Sequence, residues 1–130
     1  MALSWDNLKT KHNDRAFRLI VHGQPKTGKT TFACGAPRPL VICTEDGLGM
    51  TEELANVPAF MVSTLEEFEQ ALDLVASDPS KYDTLIIDSL DHLEPMVHAR
   101  ICSREGVASI EKIDYGKGYI YAADYWRNDY

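Results

Sequence analysis

Residues 23–30 read GQPKTGKT, two glycines bracketing four residues and followed at once by Lys29 and Thr30. At average residue usage this pattern turns up by accident in roughly one random chain of this length in a few hundred, so its surroundings must decide what it is. A phosphate-binding loop needs a strand running in and a helix running out. The stretch Phe17-Arg18-Leu19-Ile20-Val21-His22, rich in apolar and β-branched residues, predicts the strand. Thr30-Thr31-Phe32-Ala33-Cys34, stopping at Gly35, predicts a short helix.

The spacing has a chemical reason, because a polyphosphate needs several donors converging on it. Gly23 and Gly28 permit the backbone turns that aim successive N–H groups inward, and a helix start adds unpaired N–H groups. The expected cradle is Gly23, Gln24, Pro25, Lys26, Thr27, Gly28, Lys29, Thr30 and Thr31. Lys29 supplies a point charge to the β- and γ-phosphates, and the Thr30 hydroxyl can complete a Mg²⁺ shell, so ATP and Mg²⁺ are the expected cofactors. The bland alternative is a glycine-rich surface turn with an exposed lysine.

Composition narrows the class without naming the chemistry. With 130 residues, 45% hydrophobic and 25% charged, the chain has the size and balance of one ordinary globular domain. No apolar run approaches the roughly eighteen residues of a membrane span, and MALSWDNLKTKHNDR lacks the pattern of a secretory signal, so no membrane partner and a cytoplasmic location are expected. Cys34, Cys43 and Cys102 are an odd number without a CxxC pair, which argues against a disulfide framework or a zinc ribbon. His98 and Cys102 stand at i and i+4, but two candidate ligands do not make a metal site.

Charge is uneven along the chain. Residues 1–38 carry seven Lys/Arg against two Asp/Glu, net +5, and the remainder carries net −12. Lys9, Lys11, Arg15 and Arg18 form either an anion-attracting rim or a solvated N-terminal segment. The acidic remainder speaks against gripping a nucleic-acid backbone over a broad face.

Residues 1–15 read as a basic N-terminal segment and 16–130 as one ATP-binding core. Beyond the loop, Leu40-Val41-Ile42-Cys43 predicts a strand buried on both faces, and Ala59-Phe60-Met61-Val62 a weaker one. Thr64-Leu65-Glu66-Glu67 fits a capping box, opening a helix with Leu65, Phe68, Leu72 and Val75 at helical spacing and closing at Asp78-Pro79. Thr84-Leu85-Ile86-Ile87-Asp88 is the clearest strand. From Ser89 the pattern is helical, with Leu90, Leu93, Val97 and Ile101 on one side and Pro95 at an early turn or a kink. Such alternation predicts a parallel sheet with helices on both faces. The aromatic stretch Tyr119–Arg127 also reads as helix, and its lack of an evident cap before Tyr130 suggests a fold truncated at the C-terminus or completed elsewhere.

Two carboxylates complete the site on paper. Asp88 ends the strongest strand, where the C-terminal edge of a parallel sheet would place it near Thr30 to help hold Mg²⁺; capping the next helix is its alternative role. Many ATPases of the AAA type follow that aspartate with a glutamate, but here the residue is Ser89. The general base must come from elsewhere, and Glu45, just past the Leu40–Cys43 strand, is the candidate, with Asp46 its competitor.

At this point the residues carry a resemblance. VICTEDGLG (41–49) resembles the segment of RecA-type recombinases that bears their catalytic glutamate, and LIIDSLDHLEP (85–95) resembles their Walker B strand. Together with GQPKTGKTT, the APRPL connector and YGKGY (115–119), these are similar to RecA-core nucleotide-binding proteins of phages and prophages, some of them single-strand annealing or recombination proteins, over roughly residues 16–126. The resemblance implies a RecA-like P-loop NTPase core in which Lys29 and Thr30 bind phosphate and Mg²⁺, Asp88 holds the metal shell and Glu45 activates water. It implies single-stranded DNA as a partner, reached through regions beyond this chain, and it admits a homo-oligomer. A nucleotide-dependent interaction module that does not hydrolyse, and a small-molecule kinase, are the competing classes; the second lacks its arginine-rich lid.

Overall fold

A computed structural model describes residues 4–7, 16–45 and 55–129. Three strands, β1 (Pro39–Cys43), β2 (Ala59–Met61) and β3 (Thr84–Asp88), form a parallel sheet in the order β2-β1-β3. Four α-helices accompany it: α1 (Lys29–Cys34), α2 (Leu65–Ser77), α3 (Leu90–Glu105) and α4 (Lys117–Asp129). This is an α/β domain built on a parallel sheet. Among the described residues no helix is long and apolar enough to cross a membrane.

The period of two along the strands divides the interior into two layers. From β1, Ile42 joins the larger core with Leu65, Phe68, Leu93, Val97 and Ile101, so α2 and α3 lie on that side. Val41 and Cys43 face the other way, against Cys34 of α1 and Ile86 of β3. Register then fixes the chemistry, for Val41 pairs with Ile86 and Cys43 with Asp88. Asp88 therefore shares the α1 face with Ile86, two residues before it.

Local signals set the helix ends. The Thr64 side chain accepts from the Glu67 N–H at 3.2 Å while Glu67 Oε2 accepts from the N–H groups of Thr64 and Ser63, closing the expected capping box. Helix α3 runs through Pro95 and stops at Gly106, whose φ of 68° suits a left-handed cap, with the Val107 N–H returning to the Cys102 carbonyl. Leu93, Val97 and Ile101 are buried as their spacing predicts, whereas Leu90 stays exposed. In the first turn of α4, Gly118 faces a 3-10 turn, Ile110–Lys112, so closely that a Cβ would lie 2.6 Å from both the Ile110 side chain and its carbonyl oxygen. One glycine of YGKGY is thus there because nothing larger fits.

Phe17–His22 departs from expectation. It is not a strand, and it is exposed, Phe17 by 89% and Ile20 by 82%. β-propensity records how well a residue fits a pleated, half-buried surface; it does not supply that surface. Among the described residues strand β3 pairs with β1 alone, and all five of its residues are only half-buried. The composition of 17–22 suits a strand, but among the described residues no ladder or cover forms on it.

Candidate nucleotide-binding site

The loop at 23–28 is built by its own side chains as much as by its glycines. Thr27 Oγ1 donates to the Gln24 carbonyl at 2.8 Å, and a Cβ on Gly23 would come within 3.2 Å of that hydroxyl. Gly28 takes φ 92° and leads directly into α1, where the Phe32 N–H returns to its carbonyl at 2.9 Å. The second left-handed position is Lys26, at φ 63°, not Gly23. Pro25 lies in the turn and Thr31 is exposed on the first turn of α1.

Lys29 Nζ turns back into this loop and donates to the carbonyls of Gly23 and Gln24, each at 2.7 Å. Next along the helix, Thr30 Oγ1 donates to Asp88 Oδ2 at 2.7 Å, a contact spanning 58 positions of sequence. Loop and strand end are thereby joined through a hydroxyl and a carboxylate, the hard oxygen donors that suit Mg²⁺, an ion that takes one or two protein oxygens beside phosphate. Cys34 lies nearby; burial, then the charge of Asp88, pushes its thiol up, away from the reactive thiolate.

The end of β1 is laced to the end of β3. The Thr44 N–H donates to the Asp88 carbonyl at 2.8 Å, Thr44 Oγ1 donates to the Ser89 carbonyl at 2.8 Å, and the Ser89 N–H donates back to Thr44 Oγ1 at 3.0 Å. The Asp88–Ser89 peptide is cis. Beyond the lacing, Glu45 Oε1 accepts from Ser89 Oγ at 2.9 Å and lies 3.2 Å from His92 Nδ1. The structure therefore brings together Lys29, Thr30 and Asp88 on one side and Glu45 with Ser89 on the other, all around the adjoining ends of β1, β3 and α1. Asp88 does not cap α3, whose N-cap is Ser89. Asp46 lies outside the described residues, as do Lys9, Lys11 and Arg15.

Sequence reasoning missed His92 and Thr44. Each stands beside a residue that was singled out, yet their roles depend on strand register, which no local pattern reveals. A cavity of about 250 Å³ lined by Leu90, Asp91, Glu94 and Trp126 is a different feature, and its two carboxylates are the opposite of what a polyphosphate needs.

A parallel sheet, a glycine-bracketed Lys-Thr loop and an aspartate drawn to that threonine define a P-loop ATPase domain of the AAA type. Residues 15–129 match the AAA domain family, and the chain belongs to that family. No curated protein and no solved structure gives a match.

Proposed function

We propose that the chain binds Mg-ATP in the 23–31 loop and hydrolyses it to ADP and phosphate, using Glu45 as general base. The observation that carries this reading is the 2.7 Å contact between Thr30 and Asp88, because it joins the loop-and-helix half of a phosphate-and-metal site to the carboxylate at the end of β3. Lys29 exchanges its two loop carbonyls for the β- and γ-phosphate oxygens. Thr30 and Asp88 would hold Mg²⁺, which when bound would screen the phosphate charge. Glu45 takes a proton from water as the water oxygen forms its bond to the γ-phosphorus and the bond to the β-phosphate oxygen breaks.

The finer reading is a RecA-like phage recombination or single-strand annealing ATPase that works on single-stranded DNA in the cytoplasm, supported by the likeness of residues 41–49 and 85–95 to RecA-type segments. Turnover of Mg-ATP by the full-length protein, with and without a single-stranded oligonucleotide, tests both levels. Stimulation by the oligonucleotide is expected; turnover indifferent to it removes the recombination assignment and leaves the ATPase. Glu45→Gln should keep nucleotide affinity and lower turnover on the order of 10²–10⁴-fold, the usual contribution of a positioned base.

One observation favours a second reading, a nucleotide-dependent interaction module that does not hydrolyse: Ser89 stands where many AAA ATPases carry a glutamate. Tight Mg-ATP binding without any turnover would select it.

A further inference from the structure

Ser89 and His92 meet Glu45 in a closed triangle. Ser89 Oγ donates to Glu45 Oε1 at 2.9 Å, His92 Nδ1 is 3.2 Å from that same oxygen, and Ser89 Oγ and His92 Nδ1 are 3.2 Å from one another. Both residues belong to the start of α3, Ser89 as N-cap and His92 three positions on, a spacing that stacks two side chains on one face. The serine is also spent unusually. A serine at an N-cap ordinarily accepts from the N–H groups of its own helix, but Ser89 makes no such side-chain bond. Its hydroxyl goes to Glu45 instead.

We infer that Ser89 and His92 are positioning residues that fix the Glu45 carboxylate by one oxygen, Oε1, and present Oε2 to the attacking water. The inference rests on Glu45 being the base. Glu45 follows β1 by two residues, and its side chain is 44% exposed; an unrestrained glutamate there would sample many rotamers, few of them useful for proton transfer. Two contacts to one oxygen select among those rotamers. The histidine serves this role with Nδ1 carrying the proton, donating toward Oε1 and the serine oxygen together. The acid that many AAA ATPases place directly after the Walker B aspartate is in this chain drawn to the same point from the neighbouring strand, and the serine in that place is what draws it.

Ser89→Ala and His92→Ala, measured for kcat, KM and calorimetric ATP affinity, alone and combined with Glu45→Gln, test the inference. Each single change should lower kcat on the order of 10- to 10²-fold, the scale of a misplaced reacting group, with KM and Kd moving less than about twofold. In the Glu45→Gln background neither should lower kcat further, because the proton acceptor is already gone. His92→Asn, whose amide nitrogen can stand in for Nδ1, should recover most of the loss. Nitrogen NMR of the ligand-free protein gives a readout apart from turnover: the His92 ring signals should move on Glu45→Gln while those of His98, which faces Glu94 and Tyr119, stay put. Loss of ATP affinity in step with kcat, or losses that add to that of Glu45→Gln, would overturn the inference in favour of a structural role. A His92 signal indifferent to Glu45→Gln would overturn it whatever the kinetics. If that signal moves but Glu45→Gln leaves turnover intact, the contact stands while the base assignment fails and takes the positioning role with it.

Discussion

Lys29 and Glu45 show how differently two residues of one site can be read. The lysine was legible because its motif is local: a glycine, four residues, a glycine and a lysine set the backbone around it with no help from the rest of the chain. On the proposed function, its substitution by alanine removes the charge that would face the phosphates and should abolish Mg-ATP binding; unchanged affinity by calorimetry would refute the assignment of the loop. The glutamate was reachable only by counting past a strand, which is why Asp46 stayed in competition. Glu45 is now seen bonded to Ser89, and Asp46→Asn should therefore leave turnover nearly intact where Glu45→Gln does not. Ser89 itself was noticed only as the wrong residue for a base. Its partnership with Glu45 depends on which strand lies beside which, and that information is spread over the whole sheet.

At the scale of elements, the capping box and the three strands expected at 40–43, 59–62 and 84–88 are found, and the expected strand at 17–22 is not. The capping box at Thr64 is complete in three consecutive peptide units, so sequence and structure agree on it. The Phe17–His22 stretch needed an edge to pair with, and composition alone cannot say whether an edge will be open or covered. Gly118 lies between these cases, since the glycines of YGKGY were visible but their purpose was not. Adding one methyl there drives a Cβ to 2.6 Å from Ile110, and α4 must shift off the Ile110–Lys112 turn to make room. Gly118→Ala should cost about 1–3 kcal/mol, the usual penalty of overpacking, read as a lower denaturation midpoint with the ATP site unaltered. A variant as stable as the parent would mean that α4 is not seated where described.

Across the whole molecule, α2, α3 and α4 are held to one another by an ionic knot. Arg100 donates to Glu66 Oε1 at 2.5 Å, to Glu69 Oε1 at 2.7 Å and to the Tyr125 hydroxyl at 2.6 Å, and Tyr125 donates in turn to Glu69. Its own backbone N–H, then the Arg100 guanidinium, hold the Glu66 carboxyl below its ordinary value of 4.5. A depressed folded-state pKa contributes stability that is present above the ordinary carboxylate value and is lost as pH falls through the folded one. Acid unfolding should therefore steepen below about pH 4.5, and Glu66→Gln should flatten that slope by removing a small surface-pair stabilisation above about pH 6, the difference from the parent vanishing once the parent's carboxyl is protonated. Equal slopes for the two proteins would remove Glu66 from the acid response.

The lacing of Thr44 to Asp88 and Ser89 gives the site a mechanical property. One threonine hydroxyl ties the strand end that precedes Glu45 to the strand end that carries Asp88, so the two acids ride on a common hinge pin. A displacement of either strand end would carry both with it, and on the proposed function metal affinity and proton abstraction would change together. Thr44→Val keeps the shape and removes the pin. We predict that it weakens the Mg²⁺ dependence of nucleotide binding and slows turnover together, and that a loss confined to one of them would show the carboxylates to be adjusted separately. On the proposed function, a partner that moves the start of α3, where Ser89 is the N-cap, would act on the metal-holding and the proton-accepting carboxylate together.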